Sequence, residues 1–299
     1  MLTRSRIAQL TSLGLIATPA LQAAEGGVSP YPYKLTEVFG LPITNSMVTT
    51  WVISLLLVLL VRLLVGGSPK LVPGRGQAVI EGAISWIKEL IEPIVGKRMV
   101  GPTFPLIFGL FIFILIHNWS GMLPGVGTYG FIGGERELTY FQRPANSDLN
   151  MTLALALIVQ IAWFYFVLNP KYAGAKVLIY DLFGNKADKA ETPIAIYIFL
   201  FPVFFAVGLI EVISILFRNV SLSFRLYGNV FGGENLLTNM LGMGENLLTP
   251  FFAWIIAVPF YGLEILIGFV QAFVFALLTA VYIGLICNHG DDHGSAHAH

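Results

Sequence analysis

The sequence predicts an all-α protein that crosses a membrane several times, and three observations support this prediction. The 299 residues have a mean hydropathy of +0.77 and only 11% of them are charged. Lys plus Arg balance Asp plus Glu at 17 each, which removes the electrostatic basis for binding nucleic acid. Several apolar runs are long enough to span a hydrocarbon core of about 30 Å. We expect about five membrane helices and one amphipathic interfacial helix, with the last two membrane helices long, tilted and paired as a hairpin.

The N-terminus has the pattern of a secretory signal. Arg4 and Arg6 precede a short apolar region that leads to small residues around Ala23, so residues 1–24 are predicted to be a cleavable signal. A short interfacial helix is the alternative. In both cases we expect residues 25–46 to lie outside the cytoplasm.

The first span is predicted at Met47–Val65, with Arg62 reaching back to the interface. The segment after it carries isoleucines at helical spacing, with charged residues on the other face. Those isoleucines are Ile80, Ile84, Ile87, Ile91 and Ile94. This pattern predicts a helix that lies on the membrane surface.

Two further spans are predicted at Thr103–Leu123 and Leu149–Leu168. Lysine and arginine are enriched in segments 66–102 and 169–192, and the positive-inside rule therefore assigns both segments to the cytoplasm. An external N-terminus and a cytoplasmic C-terminus follow from this assignment.

The final third contains Pro193–Leu241 and Thr249–Cys287, and each is longer than a simple span. A 39-residue helix is about 58 Å long, so these segments have to tilt, break or run along the membrane. Candidate bend points are Pro202, Pro250 and Pro259, and a candidate turn between the two segments is Gly242 with Gly244. The membrane domain is predicted to cover residues 47–288, and the polar, His-rich tail 289–299 to be disordered.

No cofactor or metal site is predicted. Cys287 is the only cysteine, so the chain cannot form an internal disulfide or a CxxC site, and this thiol is interpreted as a small buried hydrophobe. The histidines of the tail are interpreted as part of a solvated end.

Arg225 is the first candidate functional residue, because an arginine at membrane depth costs about 2.5 to 3.5 kcal/mol on insertion scales. At 100° per residue, a helix would place several polar residues within about 40° of it. These residues are Glu211, Arg218, Ser221 and Asn229. Gly228 and Gly232 leave room there for a second helix to approach.

Three further polar residues follow Arg225 in the apolar segments. Glu234 is nine residues beyond Arg225, near the opposite face, so the two cannot form an intrahelical ion pair. Glu264 and Gln271 are seven residues apart and share a face. The glutamates can also serve as interhelical hydrogen-bond anchors, and His117 and Asn118 as satisfied polar residues at the end of a span.

Four segments resemble one known family, the a subunit of F-type ATP synthases. SLSFRLYGNVFGGE at 221–234 resembles its SLxxRLFGNxxAGE signature, and QAFVFALLTAVYIG at 271–284 resembles its second signature. FILIHNWSGMLPG at 113–125 and SDLNMTLALAL at 147–157 resemble further family segments. The similarity covers roughly residues 40 to 288 in consistent order.

The resemblance implies that Arg225 is a stator arginine facing the carboxylates of a rotating ring of c subunits. Glu234 and Glu264 occupy positions at which many relatives carry one histidine and one carboxylate. Tyr227 replaces the usual phenylalanine, and Gly121 replaces an acidic residue that some relatives have.

The resemblance also suggests a proton pathway and partners. The hypothesised half-channel on the external side comprises Glu264, Glu234, Asp148, Asn118 and His117, with Asn229 and Gln271 also on the pathway. Glu211 and the Ser221 region are assigned to the contact with the c ring or to the other outlet, and Gly228 and Gly232 to packing against the ring. The implied partners are the c ring, the b-subunit peripheral stalk and the rest of the synthase in a bacterial inner membrane.

Three rival functions are weighed against this one. A secondary transporter predicts inverted repeats, which the sequence does not show convincingly. A respiratory-complex membrane subunit or a scaffold would lack the RLxGN and QAFxF pair in this order. A standalone ATPase is disfavoured because GxxxxGK[ST] is missing.

Overall fold

The structure is a computed structural model, and it describes most of the chain. The described ranges are 32–66, 69–123, 130–132, 138–140, 143–172, 174–184, 194–245 and 250–295. The predicted signal segment 1–24 and the last four residues of the tail lie outside these ranges.

The chain divides into two compact units, which are described separately. Unit 1 draws its residues from Met1–Val58, Phe113–Leu149 and Leu226–Gln271. Unit 2 draws its residues from Leu59–Ile112, Asn150–Arg225 and Ala272–His299.

The described residues form long helices, and the predicted all-α polytopic fold is confirmed. The helices are α1 (Asn45–Val65), α2 (Arg75–Val95), α3 (Lys97–Ser120), α4 (Leu149–Leu168), α5 (Ala175–Phe183), α6 (Ile194–Glu245) and α7 (Pro250–Ser295). Five of them, α1, α3, α4, α6 and α7, are long and apolar enough to cross a membrane. Helix α4 has the predicted bounds, and α1 and α3 begin two and six residues earlier than predicted.

Two short β-hairpins were not predicted. The first pairs β1 (Lys34–Val38) with β2 (Leu41–Thr44) through a two-residue turn at Phe39 and Gly40. Both turn residues have positive φ, 52° and 79°, as a type I′ turn requires. The second hairpin pairs β3 (Gly130–Ile132) with β4 (Leu138–Tyr140) in the segment between α3 and α4.

Helix α2 is amphipathic, as predicted. Its buried side includes Ile87, Ile91 and Val95. Gly96, at φ 87°, follows the last residue and donates its N–H to the Glu92 carbonyl, which closes the final turn. The location of α2 on the membrane surface remains a prediction.

Two predictions about the final third are wrong. Gly242 and Gly244 do not form a turn, because α6 continues through both to Glu245. The tail is not disordered through Ser295, because α7 extends to that residue. In both places the helix is already formed, so adding residues requires no new nucleation and outweighs the low helix propensity of glycine.

The prolines of the long helices have different effects. Helix α6 continues through Pro202 and α7 through Pro259, so neither residue ends a helix. Pro250 is the first residue of α7, where its missing N–H costs no intrahelical bond.

Candidate functional site

Arg225 lies in unit 2, on α6, with its side chain exposed. Ser221, one turn earlier, is also exposed, whereas Leu222 and Ser223 are buried. Ser223 donates a hydrogen bond from Oγ to Oγ1 of Thr152 on α4 at 3.0 Å. Because this contact packs the Ser223 side of α6 against α4, Arg225 lies on the exposed side of α6.

The Arg225 guanidinium has neither a hydrogen bond nor an ion pair with any residue in the described ranges. Within the described part of unit 2 it acts electrostatically on the Tyr282 hydroxyl on α7. An arginine in an apolar segment stays charged. Its charge is therefore available to a group outside the chain.

Arg218 lies in the same unit but has partners. Its guanidinium carbon is 4.0 Å from the centroid of the Tyr282 ring, and its Nη2 is 3.7 Å from Oε1 of Glu211. Trp163 on α4 donates from Nε1 to the Tyr282 carbonyl at 3.0 Å. Arg218 and Glu211 therefore neutralise each other beside a fixed aromatic ring.

In unit 1, a second arginine lies near Glu234. Arg143 is buried and donates from Nε to Oγ of Ser147 at 2.9 Å. Arg143 acts electrostatically on the half-buried Glu234 carboxylate, and Oγ of Ser147 donates to the Pro144 carbonyl at 2.8 Å. Arg143 thus compensates a carboxylate that α6 brings into the interior of this unit.

Contacts within unit 1 join α6 and α7 in antiparallel order. Asn229 donates from Nδ2 to Oε1 of Gln271 at 2.9 Å, and the Glu264 carboxylate covers Gly233. A Cβ built on Gly233 would overlap that carboxylate, so only glycine leaves room for Glu264 in its present position. The predicted hairpin pairing of the two long segments is confirmed within this unit.

Asn118 links three parts of unit 1. Its Nδ2 donates to the Gly268 carbonyl on α7 at 3.0 Å, and its Oδ1 accepts from Nδ2 of Asn146 at 2.7 Å. Trp119 donates from Nε1 to the Ile265 carbonyl at 3.1 Å. These bonds hold the end of α3 against the α7 turns that carry Glu264.

His117 and Asp148 are both buried in unit 1. His117 Nδ1 is 2.8 Å from the Phe113 carbonyl, and the Thr50 backbone also lies within hydrogen-bonding range of the imidazole. Asp148 accepts a hydrogen bond on Oδ2 from Oγ of Ser46 at 2.8 Å, which connects the start of α4 to α1.

The two glycines assigned to ring packing also lie in unit 1. Gly228 and Gly232 are exposed on α6, and a Cβ built on either would meet no atom within 4 Å. The fold itself therefore does not need glycine at these positions.

Sequence reasoning missed several polar residues at these sites. Arg143, Asn146 and Ser147 precede α4, and the run RPANSD that contains them was a usable signal, because five of its residues are polar or break helices. Tyr282 gave no such signal, since an aromatic residue in an apolar helix is usually packing.

A family model described as ATP synthase A chain matches residues 47–284, about four fifths of the chain. The chain belongs to this family. The match includes every membrane helix described above except the first two residues of α1 and residues 285–295 of α7.

Curated relatives agree with this assignment. The chain is 32% identical over 263 residues to ATP synthase subunit a of Maricaulis maris, which covers 83% of this chain and 90% of the relative. It is 29% identical over 261 residues to ATP synthase subunit a of Desulforamulus reducens, covering 87% and 86%. It is 32% identical over 242 residues to ATP synthase subunit a 2 of a Bradyrhizobium strain, covering 81% and 88%. The chain is therefore a multi-pass bacterial membrane protein of the ATP synthase A chain family.

Proposed function

We propose that this chain is the proton-conducting stator subunit of an F-type ATP synthase and that Arg225 is the residue that meets the ring of c subunits. The observation that carries the proposal is the exposed Arg225 guanidinium, which has no hydrogen-bond or ion-pair partner among the described residues. Membership in the ATP synthase A chain family supports a role in this complex rather than in a transporter or a respiratory enzyme. The chain does no chemistry on ATP by itself.

Arg225 acts by favouring the ionised form of a ring carboxylate that comes within about 4 to 6 Å. Because the guanidinium does not lose its proton, it also blocks direct passage of a proton between two aqueous half-channels. A proton enters through one half-channel, travels on the ring and leaves through the other. Each elementary charge that crosses 100 mV releases about 2.3 kcal/mol, which is the work that turns the ring.

The external half-channel is assigned to unit 1. Glu234 and Glu264 can carry a proton, while Asp148, Asn118, His117, Asn229 and Gln271 supply polar groups beside them. Two buried atoms, Oε2 of Glu234 and Nε2 of Gln271, have no hydrogen-bond partner in the described ranges, as expected for groups that meet water in a channel. Glu211 and Ser221 belong to the ring contact or to the second outlet in unit 2.

The proposed topology has an external N-terminus and a cytoplasmic C-terminus. The two lysine- and arginine-rich segments, 66–102 and 169–192, are in contact, because Arg98 Nη2 donates to the Lys171 carbonyl at 2.7 Å. Such a contact is possible only if both segments lie on the same side of the membrane. The Ser46–Asp148 hydrogen bond joins the start of α1 to the start of α4, and the proposed topology assigns both of these helix starts to the external side. Both contacts support the positive-inside assignment.

The test compares Arg225→Ala and Arg225→Lys with a matched membrane arginine, Arg62→Ala, in inverted membrane vesicles. Arg62 is exposed at the end of α1 and has no assigned role. We expect both Arg225 variants to reduce ATP synthesis driven by a proton gradient to background while the complex still assembles, and Arg62→Ala to retain synthesis. Synthesis retained in the alanine variant would refute the proposal.

A further inference from the structure

Arg218 raises a problem for any mechanism in which one arginine meets the ring. It lies seven residues before Arg225 on α6, which is about 10.5 Å along a helix, and within about 20° of the same face. Arginine remains charged in both positions. A ring carboxylate that passes this face would therefore meet two fixed cations, and the first could hold it as firmly as the second.

Two residues of unit 2 engage Arg218. The Tyr282 ring lies under its guanidinium at 4.0 Å, and the Glu211 carboxylate lies 3.7 Å from its Nη2. A guanidinium over an aromatic face is attracted by the ring quadrupole, most strongly where water is scarce. The Tyr282 backbone is fixed by the hydrogen bond from Trp163.

The Arg218 side chain is only partly buried, so it can change position if these contacts are lost. It is 26% exposed and lies beside a shallow opening lined by Gln160, Asn219 and Tyr282. Asn219 donates a hydrogen bond from Nδ2 to Oε1 of Gln160, so α4 and α6 remain joined there without Arg218. The position of Arg218 is therefore set by its partners rather than by close packing on every side.

We propose that Glu211 and Tyr282 hold Arg218 away from the passing ring, so that Arg225 alone acts on the ring carboxylates. This inference rests on the proposed function of Arg225 and adds Tyr282 and Glu211 as positioning residues for it. Glu211 cancels the charge of Arg218, and the Tyr282 ring fixes where the guanidinium lies. Without either contact, Arg218 becomes a second stator arginine that traps carboxylates and slows rotation.

The test uses ATP synthesis in vesicles containing the complete synthase, with four variants. Tyr282→Leu removes the ring and should lower the rate by roughly two- to fivefold, the factor expected for losing a cation–π contact at a partly exposed site. Tyr282→Phe keeps the ring and should stay close to wild type, as should Arg218→Ala. The double variant Tyr282→Leu with Arg218→Ala should recover most of the lost rate, because the competing cation is gone.

A double variant as slow as Tyr282→Leu alone would overturn the proposal, since Tyr282 would then act by packing. A Tyr282→Leu variant with an unchanged rate would overturn it as well. If Tyr282→Leu does not assemble, Glu211→Gln replaces it, because Glu211 is exposed and its loss does not disturb the interior. Rescue of Glu211→Gln by Arg218→Ala supports the proposal, and no rescue refutes it.

Arg225→Ala, measured alongside, separates the two proposals. If it retains synthesis, the proposed function fails. If it abolishes synthesis while Arg218→Ala does not rescue the other variants, only the role of Tyr282 and Glu211 fails.

Discussion

In unit 1 the buried arginine and the carboxylates near it have partners within the chain, whereas in unit 2 the exposed Arg225 has no ion-pair partner in the described ranges. Arg143 acts on Glu234, and Asp148 accepts a hydrogen bond from Ser46. A charge that serves the fold of the subunit itself is compensated locally, because an uncompensated buried charge is costly. The role proposed for Arg225, a contact with another subunit, instead requires a charge that is left exposed. The same distinction separates Arg218, which has Glu211, from Arg225.

Among the variants that test this comparison, Arg143→Leu is expected to have the largest effect, which is on the stability of the subunit. Arg143 is buried and hydrogen-bonded to Ser147, so its removal leaves a buried polar group unpaired and weakens the electrostatic compensation of Glu234, which lowers the free energy of unfolding by about 1 to 3 kcal/mol. We expect a lower thermal-unfolding midpoint of the purified complex and less of the subunit in the membrane. Arg75→Leu, which removes an exposed arginine of unit 2, should change neither.

A double variant tests whether Glu234 is the group that Arg143 compensates. Adding Glu234→Gln to Arg143→Leu should restore part of the lost stability, since the uncompensated charge is then absent, although proton conduction stays impaired. A double variant less stable than Arg143→Leu alone would show that Arg143 serves a different partner.

Glu264→Gln should leave the fold intact and slow proton conduction. Glutamine fits the same space above Gly233 but cannot carry a proton. We expect passive proton flux through the membrane sector to fall by about a hundredfold, the lower end of what positioned proton-transfer groups contribute. Glu89→Gln, at an exposed position on α2, is the control, and equal flux in the two variants would remove Glu264 from the pathway.

Gly228→Leu should have a smaller effect that appears only in the assembled complex. The chain itself has space there, but a leucine would keep a neighbouring helix at a distance. We expect a several-fold loss of ATP synthesis with normal amounts of the subunit in the membrane. Gly82→Leu on α2 is matched in exposure and free space, so a similar loss in both variants would argue against a ring contact at Gly228.

Most of the fold could be predicted because the membrane limits the choices. An apolar run of about 20 residues has to form a helix that satisfies its own backbone, and Leu149–Leu168 therefore has the same bounds in the sequence and in the structure. The ends of the long segments were predicted less well. Glycine at 242 and 244 resembles a turn, but a helix already in progress continues through it.

The candidate site could be predicted only in part, for a different reason. Arg225, Glu234 and Glu264 are conspicuous because charge is rare in apolar segments. Arg143 and Tyr282 are not, because their importance depends on which residue of another helix lies beside them. The β1–β2 turn at Phe39–Gly40 was missed as well, although glycine at its second position favours a type I′ turn.

The most direct test of the central claim is an experimental structure of the intact synthase containing this chain, in which the distance from the Arg225 guanidinium to the nearest carboxylate of another subunit is measured. The account predicts a carboxylate of the c ring within about 4 to 6 Å, the range in which a guanidinium favours the ionised form. Lipid, or a helix of a subunit other than c, lying against Arg225 in every rotational state would contradict it.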